Sequence, residues 1–227
     1  MLCAFVVTCH YGYLSVVEDI AAIVLAAGRS RRMGAFKPLL PFGAKTVIES
    51  CIEYLRAGGI ETIVVVLGQG SSSEELKQHL KDSQVIFAVN PDPASEMSVS
   101  IACGLRQIPE SARAVVITPA DHPAVPAEVV RMLIHEWRNG ARLVMPTING
   151  RGGHPVLVDL GFLDELLSLD TNRGLKGFFD AHRDQVSRVA VDSNYIARDM
   201  DTWDDYRALH QEVFGVSPRE LAVEAQE

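Results

Sequence analysis

From residue 21 onward, short apolar runs rich in β-branched residues alternate with longer stretches whose apolar positions recur at helical spacing. The runs at 21–27, 62–67, 84–89, 114–118 and 142–146 predict strands. The second is continuously apolar over 63–67 rather than alternating, which suits a strand covered on both faces. Helix start signals lie between the runs. Thr46-Val47-Ile48-Glu49 and Ser72-Ser73-Glu74-Glu75 both fit the capping box, in which a hydroxyl and a carboxylate satisfy free helix amides. The first helix is expected to stop at Gly58-Gly59. Residues 126–138 read as another, with Pro126 near its first turn and Asn139-Gly140 as its stop.

After Gly150 the rhythm changes. A strand at 155–158, helices at 162–167 and 175–182, a strand at 188–191 and a helix at 202–214 are expected. Strand–helix alternation of this kind predicts a single-domain three-layer α/β/α sandwich on a mostly parallel, Rossmann-like sheet. Its expected extent is 19–216, with an extension at 1–18 and a tail or short helix at 217–227.

The 227 residues are enough for an ordinary hydrophobic core and favour one domain over two. With 29 acidic against 21 basic residues the formal net charge is −8, which offers no electrostatic footprint for a nucleic-acid backbone. Cys3, Cys9, Cys51 and Cys103 form no C-x-x-C pair, and the histidines show no metal-ligand spacing, so no zinc site or disulfide framework is expected. The apolar stretch 2–17 resembles a signal peptide only loosely. No basic residue precedes it, Thr8 and His10 interrupt it, and it is short for a membrane span. It reads as an extra strand or a start codon placed too early, in a soluble cytoplasmic protein with no membrane partner.

The most informative stretch follows the first strand: Leu25-Ala26-Ala27-Gly28-Arg29-Ser30-Arg31-Arg32-Met33-Gly34-Ala35-Phe36-Lys37. In open α/β sheets ligands bind at the carboxyl ends of strands. Glycines here free backbone amides to face a ligand, and Arg29, Arg31, Arg32 and Lys37 gather positive charge in an otherwise acidic chain. That combination suits an anion; a basic surface turn is the plainer alternative. The loop is not a P-loop, because Ala35 and Phe36 separate the second glycine from Lys37. Gly68-x-Gly70 approaches a dinucleotide fingerprint, but Asn90 stands where its acidic residue belongs, which ranks a dehydrogenase last.

The loop resembles the L-A-A-G-x-S-x-R-M-G-x-x-K signature of nucleotidyltransferases related to molybdenum cofactor cytidylyltransferase, and every fixed position matches. Asn90-Pro91, Met97-Ser98-Val99-Ser100 with Gly104, Thr118-Pro119-Ala120-Asp121-His122-Pro123, Gly153-His154-Pro155-Val156 and Asp199-Met200-Asp201-Thr202 extend the resemblance over roughly 21–206. The resemblance implies a nucleotide-diphospho-sugar transferase type of fold. It also implies transfer of a nucleoside monophosphate from a nucleoside triphosphate to a phosphate-bearing acceptor, releasing pyrophosphate. On that reading Lys37, Arg32 and Asp121 are the catalytic set. Leu25, Ala26, Ala27, Gly28, Ser30, Arg31, Gly34 and Lys37 bind the triphosphate, and Asp121 and Asp201 hold Mg²⁺. Mg²⁺ takes hard oxygen ligands and commonly only one or two protein carboxylates. Asp121 can equally be a turn residue before Pro123, and Asp201 can equally cap the helix at Thr202.

Ser98 and Ser100 are expected to open a helix running to Ile108 and to hold a second anion, or to serve as ordinary caps. His154 resembles the family histidine on the acceptor side; a turn histidine is the alternative. Where those enzymes resemble G-D-x-G-A-R, this chain has Asp170-Thr171-Asn172-Arg173-Gly174-Leu175, a departure that bears on the molybdopterin acceptor more than on nucleotidyl transfer. Arg173 is either a bidentate phosphate ligand or a surface capping residue. Ala26-Ala27 resembles the cytidylyl-specific relatives, favouring CTP over GTP. The expected activity is Mg²⁺-dependent cytidylyl transfer to molybdopterin. The alternatives are a sugar-phosphate or alcohol-phosphate acceptor, and a binding module without turnover.

Overall fold

A computed structural model describes residues 19–28, 33–92 and 94–218. In chain order the strands and helices are β1 (Ile20–Leu25), β2 (Pro41–Phe42), β3 (Lys45–Thr46), α1 (Val47–Ala57), β4 (Thr62–Leu67), α2 (Ser71–His79), β5 (Ile86–Val89), α3 (Met97–Leu105), β6 (Ala114–Pro119), α4 (Ala127–Arg138), β7 (Leu143–Ile148), β8 (Arg151–Gly152), β9 (Val156–Asp159), α5 (Leu163–Leu167), α6 (Gly174–Ala181), β10 (Val186–Ala190) and α7 (Trp203–Phe214). Short 3-10 turns occupy Lys37–Leu39, Leu160–Phe162, Arg183–Gln185 and Asn194–Ala197.

The main sheet runs β10-β7-β9-β6-β1-β4-β5, with β8 paired to β7. Pairing is parallel except around β9, which is antiparallel to both β6 and β7, and at β8. Side chains of alternate residues enter opposite layers, as the pleat demands. Ala22, Val24, Val65 and Val116 join Ile48, Leu55 and Leu133 on one face. Ile23, Val64, Val66 and Val115 join Ile101, Leu166 and Phe178 on the other. Two buried faces explain why these strands read as continuous apolar runs. Helix α3 lies so close to the sheet that a Cβ on Gly104 would stand 2.9 Å from Cγ2 of both Ile23 and Val66. A third cluster seats α7 on the β2–β3 hairpin through Phe42, Val47, Tyr206 and Leu209. Among the described residues no helix is long and apolar enough to cross a membrane.

The expected α/β sandwich is the observed one, with local corrections. The capping box forms at Thr46 and Glu49, with the Thr46 N–H donating to Glu49 Oε2 at 2.7 Å. The one expected at Ser72 does not, because α2 starts two residues earlier behind Gly70, whose φ of 124° no other residue adopts readily. The strand expected from 84 begins at Ile86, since Gln84 turns with a φ of 49°. The helix expected to reach Ile108 ends at Leu105, and the strand at 188–191 is β10, two residues earlier at its start. The β2–β3 hairpin and β8 were not foreseen. The extension at 1–18 and most of the expected terminal helix lie outside the described residues.

Candidate functional site

The site grows from the point where strand order reverses. β1 lies between β4 and β6, so the loops leaving β1 and β6 diverge at the carboxyl edge and leave a crevice, the usual ligand position in open α/β sheets. Both loops start from fixed backbone. The Ala26 N–H donates to Val66 O at 2.8 Å and the Ala120 N–H to Leu25 O at 3.1 Å. The loop after β4 closes against the first, since a Cβ on Gly68 would crowd the Ala27 carbonyl at 3.3 Å.

A cavity of about 270 Å³ opens there, lined by Leu25, Ala26, Ala27, Gly28, Lys37 and Asp121 among others. Gly34 turns the chain with a φ of 63°, and the Trp203 indole N–H donates to the Met33 carbonyl at 2.9 Å, tying the loop's far end to α7. Arg29, Ser30, Arg31 and Arg32 lie outside the described residues, so the phosphate contacts expected of Ser30, Arg31 and Arg32 stay expectations.

Lys37 opens the 3-10 turn after this loop and reaches back into the crevice. Its Nζ lies 2.9 Å from Asp201 Oδ1 and 3.6 Å from Asp121 Oδ2, so two carboxylates from loops 80 residues apart face one ammonium group. Asp121 Oδ1 accepts a hydrogen bond from His122 Nδ1 at 2.9 Å. Burial pushes the Asp121 carboxyl pKa up. The His122 hydrogen bond, then the charges of His122 and Lys37, outweigh that and hold it below the ordinary aspartate value. Asp201 lies well past the last strand, just before α7. β10 ends at Ala190, and a 3-10 turn at Asn194–Ala197 intervenes. Asp201 does not cap α7: Thr202 does, in a capping box with Asp205.

Asp121 also borders a second cavity, of about 810 Å³, lined by Ser98, His122, His154, Arg173 and Phe179 among others. Met97 and Pro119 are shared with the first cavity, so the start of α3 and the end of β6 form a common wall. Ser98 and Ser100, expected together at a second anion, have different surroundings. Ser100 lines the small cavity and accepts from Asn90 Nδ2 at 2.9 Å, whereas the buried Ser98 Oγ is unpartnered at the large one. Neither caps the helix, whose N-cap is Glu96.

His154 enters β9 with its N–H donating to Ile196 O at 2.7 Å. The approach needs Gly153, because any Cβ there would collide with the Ile196 carbonyl. The imidazole meets the His122 ring edge-on at 5.4 Å, and its Nδ1 is buried without a partner. Burial lowers its pKa to about 4, so it is neutral at pH 7 and supplies no charge to an anion. Arg173 precedes α6 as its N-cap, exposed, 3.9 Å from Asp180 at the rim of the large cavity.

The structure adds residues that the sequence did not single out for a role at the site. Asn90 Nδ2 donates to Ser95 Oγ at 2.8 Å as well as to Ser100, and its Oδ1 accepts from the Asp92 N–H at 3.0 Å. It is a staple rather than a ligand group. Trp203 and His122 were legible only as members of a helix or motif: Trp203 finds its partner Met33 at the far end of the chain, and the His122 bond to its neighbour Asp121 depends on side-chain direction rather than spacing. Among the described residues no three His, Cys, Asp or Glu side chains converge on a metal position.

Comparison with known proteins adds an independent finding. Residues 22–186 match the MobA-like NTP transferase domain. Nicotine blue oxidoreductase of Paenarthrobacter nicotinovorans is 26% identical over 200 residues, 84% of this chain and 96% of its own. Molybdenum cofactor cytidylyltransferase of Escherichia coli is 26% identical over 190 residues, 84% of this chain and 95% of its own. The crystal structure of Rv0371c from Mycobacterium tuberculosis H37Rv superposes with a TM-score of 0.76 at 26% identity, covering 86% of this chain and 99% of that one. Its manganese complex superposes with a TM-score of 0.72 at 26% identity, covering 85% and 98%.

Proposed function

The chain belongs to the MobA-like NTP transferase domain family and is a nucleotidyltransferase, and from that premise we propose Mg²⁺-dependent transfer of CMP from CTP to a phosphate-bearing acceptor, molybdopterin foremost. The observation that carries the proposal is the Lys37 ammonium held between Asp201 and Asp121, the latter bordering both cavities. A small cavity edged by a glycine loop suits the nucleotide, and the larger one suits an acceptor.

The donor set fits a divalent ion bound together with a triphosphate. Two carboxylates brought together around Lys37 are the protein ligands Mg²⁺ commonly takes when phosphate oxygens and water complete its shell, and a manganese complex of a relative is in keeping with this. Such an ion supplies charge neutralisation across the phosphates. The chain's own groups do the rest. Loop amides near Gly28, with the Arg31 and Arg32 side chains, receive the triphosphate, and Lys37 turns from the carboxylates to the phosphate oxygens. The α3 start and Ser98 hold the acceptor phosphate on the other side of Asp121. An acceptor phosphate with a second pKa near 6 is already largely ionised at pH 7, so attack on the α-phosphorus needs alignment rather than a general base.

Thermal unfolding with CTP, GTP, UTP or ATP, with and without Mg²⁺, tests the nucleotide half. A nucleotide at a hundred times its Kd adds about 2.7 kcal/mol, raising the midpoint by roughly 5–10 °C. CTP with Mg²⁺ is expected to give the largest shift; a preference for another base moves the acceptor to a sugar or alcohol phosphate. Asp121→Ala is expected to lower pyrophosphate release at least about a hundredfold without unfolding the protein, and near wild-type release would refute the metal assignment. The relative named as an oxidoreductase supports a second reading, in which the crevice serves redox chemistry. Stabilisation by a nicotinamide dinucleotide and by no triphosphate would favour it.

A further inference from the structure

The two oxygens of Asp121 stand in different surroundings. Oδ1 takes the His122 ring at 2.9 Å, while Oδ2 faces Lys37 at 3.6 Å and the crevice. The backbone beneath is pinned by the Ala120 N–H on Leu25 O at 3.1 Å and by Cys51 Sγ on Ala120 O at 3.7 Å, so the carboxylate's remaining freedom is rotation of its own side chain. His122 is itself immobilised. It is buried, and its ring edge packs against His154 at 5.4 Å.

We propose that His122 is the positioning residue of the site, its Nδ1–H fixing Oδ1 of Asp121 so that Oδ2 is presented to the divalent cation and the triphosphate. The inference rests on the metal role proposed for Asp121. A carboxylate with both oxygens free has two equivalent ways to meet a cation and must lose rotational freedom on binding; one anchored through Oδ1 has lost it already. His122 touches neither phosphate nor metal in this scheme and acts only through Asp121.

Two substitutions separate this role from packing. Asn carries its amide nitrogen on Cγ, as histidine carries Nδ1, so His122→Asn keeps a donor near the same place and loses the ring. His122→Phe keeps the ring and its contact with His154 and loses the donor. Mn²⁺ binding, followed by electron paramagnetic resonance with a saturating non-hydrolysable CTP analogue, is the main readout. Thermal unfolding of each variant checks the fold. The expected result is at least about tenfold weaker Mn²⁺ binding in His122→Phe and near wild-type binding in His122→Asn. The reverse order, or equal behaviour of the two variants, overturns the proposal.

Nitrogen NMR of the His122 ring in the metal-free protein is a second readout. A proton on Nδ1 in the wild type, with a resonance that moves in Asp121→Asn, is expected; an unprotonated Nδ1 overturns the proposal by itself. Wild-type protein that binds no Mn²⁺ with any nucleotide refutes the metal reading instead, and the ring resonance then decides whether His122 anchors Asp121.

Discussion

The two sides of Asp121 are built on opposite terms. On the small-cavity side Asn90 spends both its amide hydrogens and its carbonyl on Ser95, Ser100 and Asp92, so the polar groups beneath the wall are satisfied before any ligand arrives. On the large-cavity side Ser98 Oγ and His154 Nδ1 are buried with no partner. An unmade hydrogen bond on a buried polar atom costs about 1–3 kcal/mol. One half of the crevice is therefore rigid and paid up, and the other holds unspent hydrogen-bonding capacity. Preorganisation suits a nucleotide met in a fixed pose, and unsatisfied groups suit a partner whose arrival completes them.

Breaking the knit side should have the largest effect. Asn90→Ala removes two donors and an acceptor from a buried network and leaves the Ser100 hydroxyl without its donor. A loss of about 2–3 kcal/mol, or roughly 5–10 °C in melting midpoint, is expected by calorimetry. A change under about 2 °C would mean that the loop at 90–95 is held by something else.

The unpaired side is sharpened by acid. His154 has a folded-state pKa lowered from 6.5 to about 4, so the unfolded chain takes up the proton first. Stability from keeping this ring neutral is complete above pH 6.5 and drains away as pH falls toward 4. His154→Leu should flatten the decline of melting temperature across that window; an unchanged slope would show that the ring is not buried as described. The smallest effect is expected from Ser98→Ala. Removing a buried, unpartnered hydroxyl should leave the melting midpoint unchanged or raise it by a few degrees, while the KM for the acceptor rises. A drop in stability would mean that Ser98 Oγ has a partner in solution.

How much of this was legible in the sequence divides along the same line. The central strands and the Thr46 cap depend on side chains within a few positions, and local pattern suffices for them. Lys37, Asp121 and Asp201 were named as candidates from a resemblance, and the structure brings the three together. What escaped depends on partners distant in sequence or on a backbone angle. The antiparallel β9 inserts between β6 and β7 by pairings that its four residues do not announce. Gly70 moves the start of α2, and the helical turn of α3, which sets residues two apart on opposite sides, sends Ser98 and Ser100 to different cavities although only one residue separates them.

The reversal of strand order also bears on how the molecule is made. β1 pairs in register with β6, Ile20 opposite Ala114 and Leu25 opposite Pro119, so the centre of the sheet closes a chain loop of more than ninety residues. Asp201 arrives some eighty residues later still. Contacts this far apart form slowly, and during synthesis the earlier half emerges long before its partners. A nascent chain that stops short of Asp201 can fold its strands yet has only half of the carboxylate pair. Competence to hold a charged triphosphate is thus a late property, acquired when nearly all of the described chain has left the ribosome.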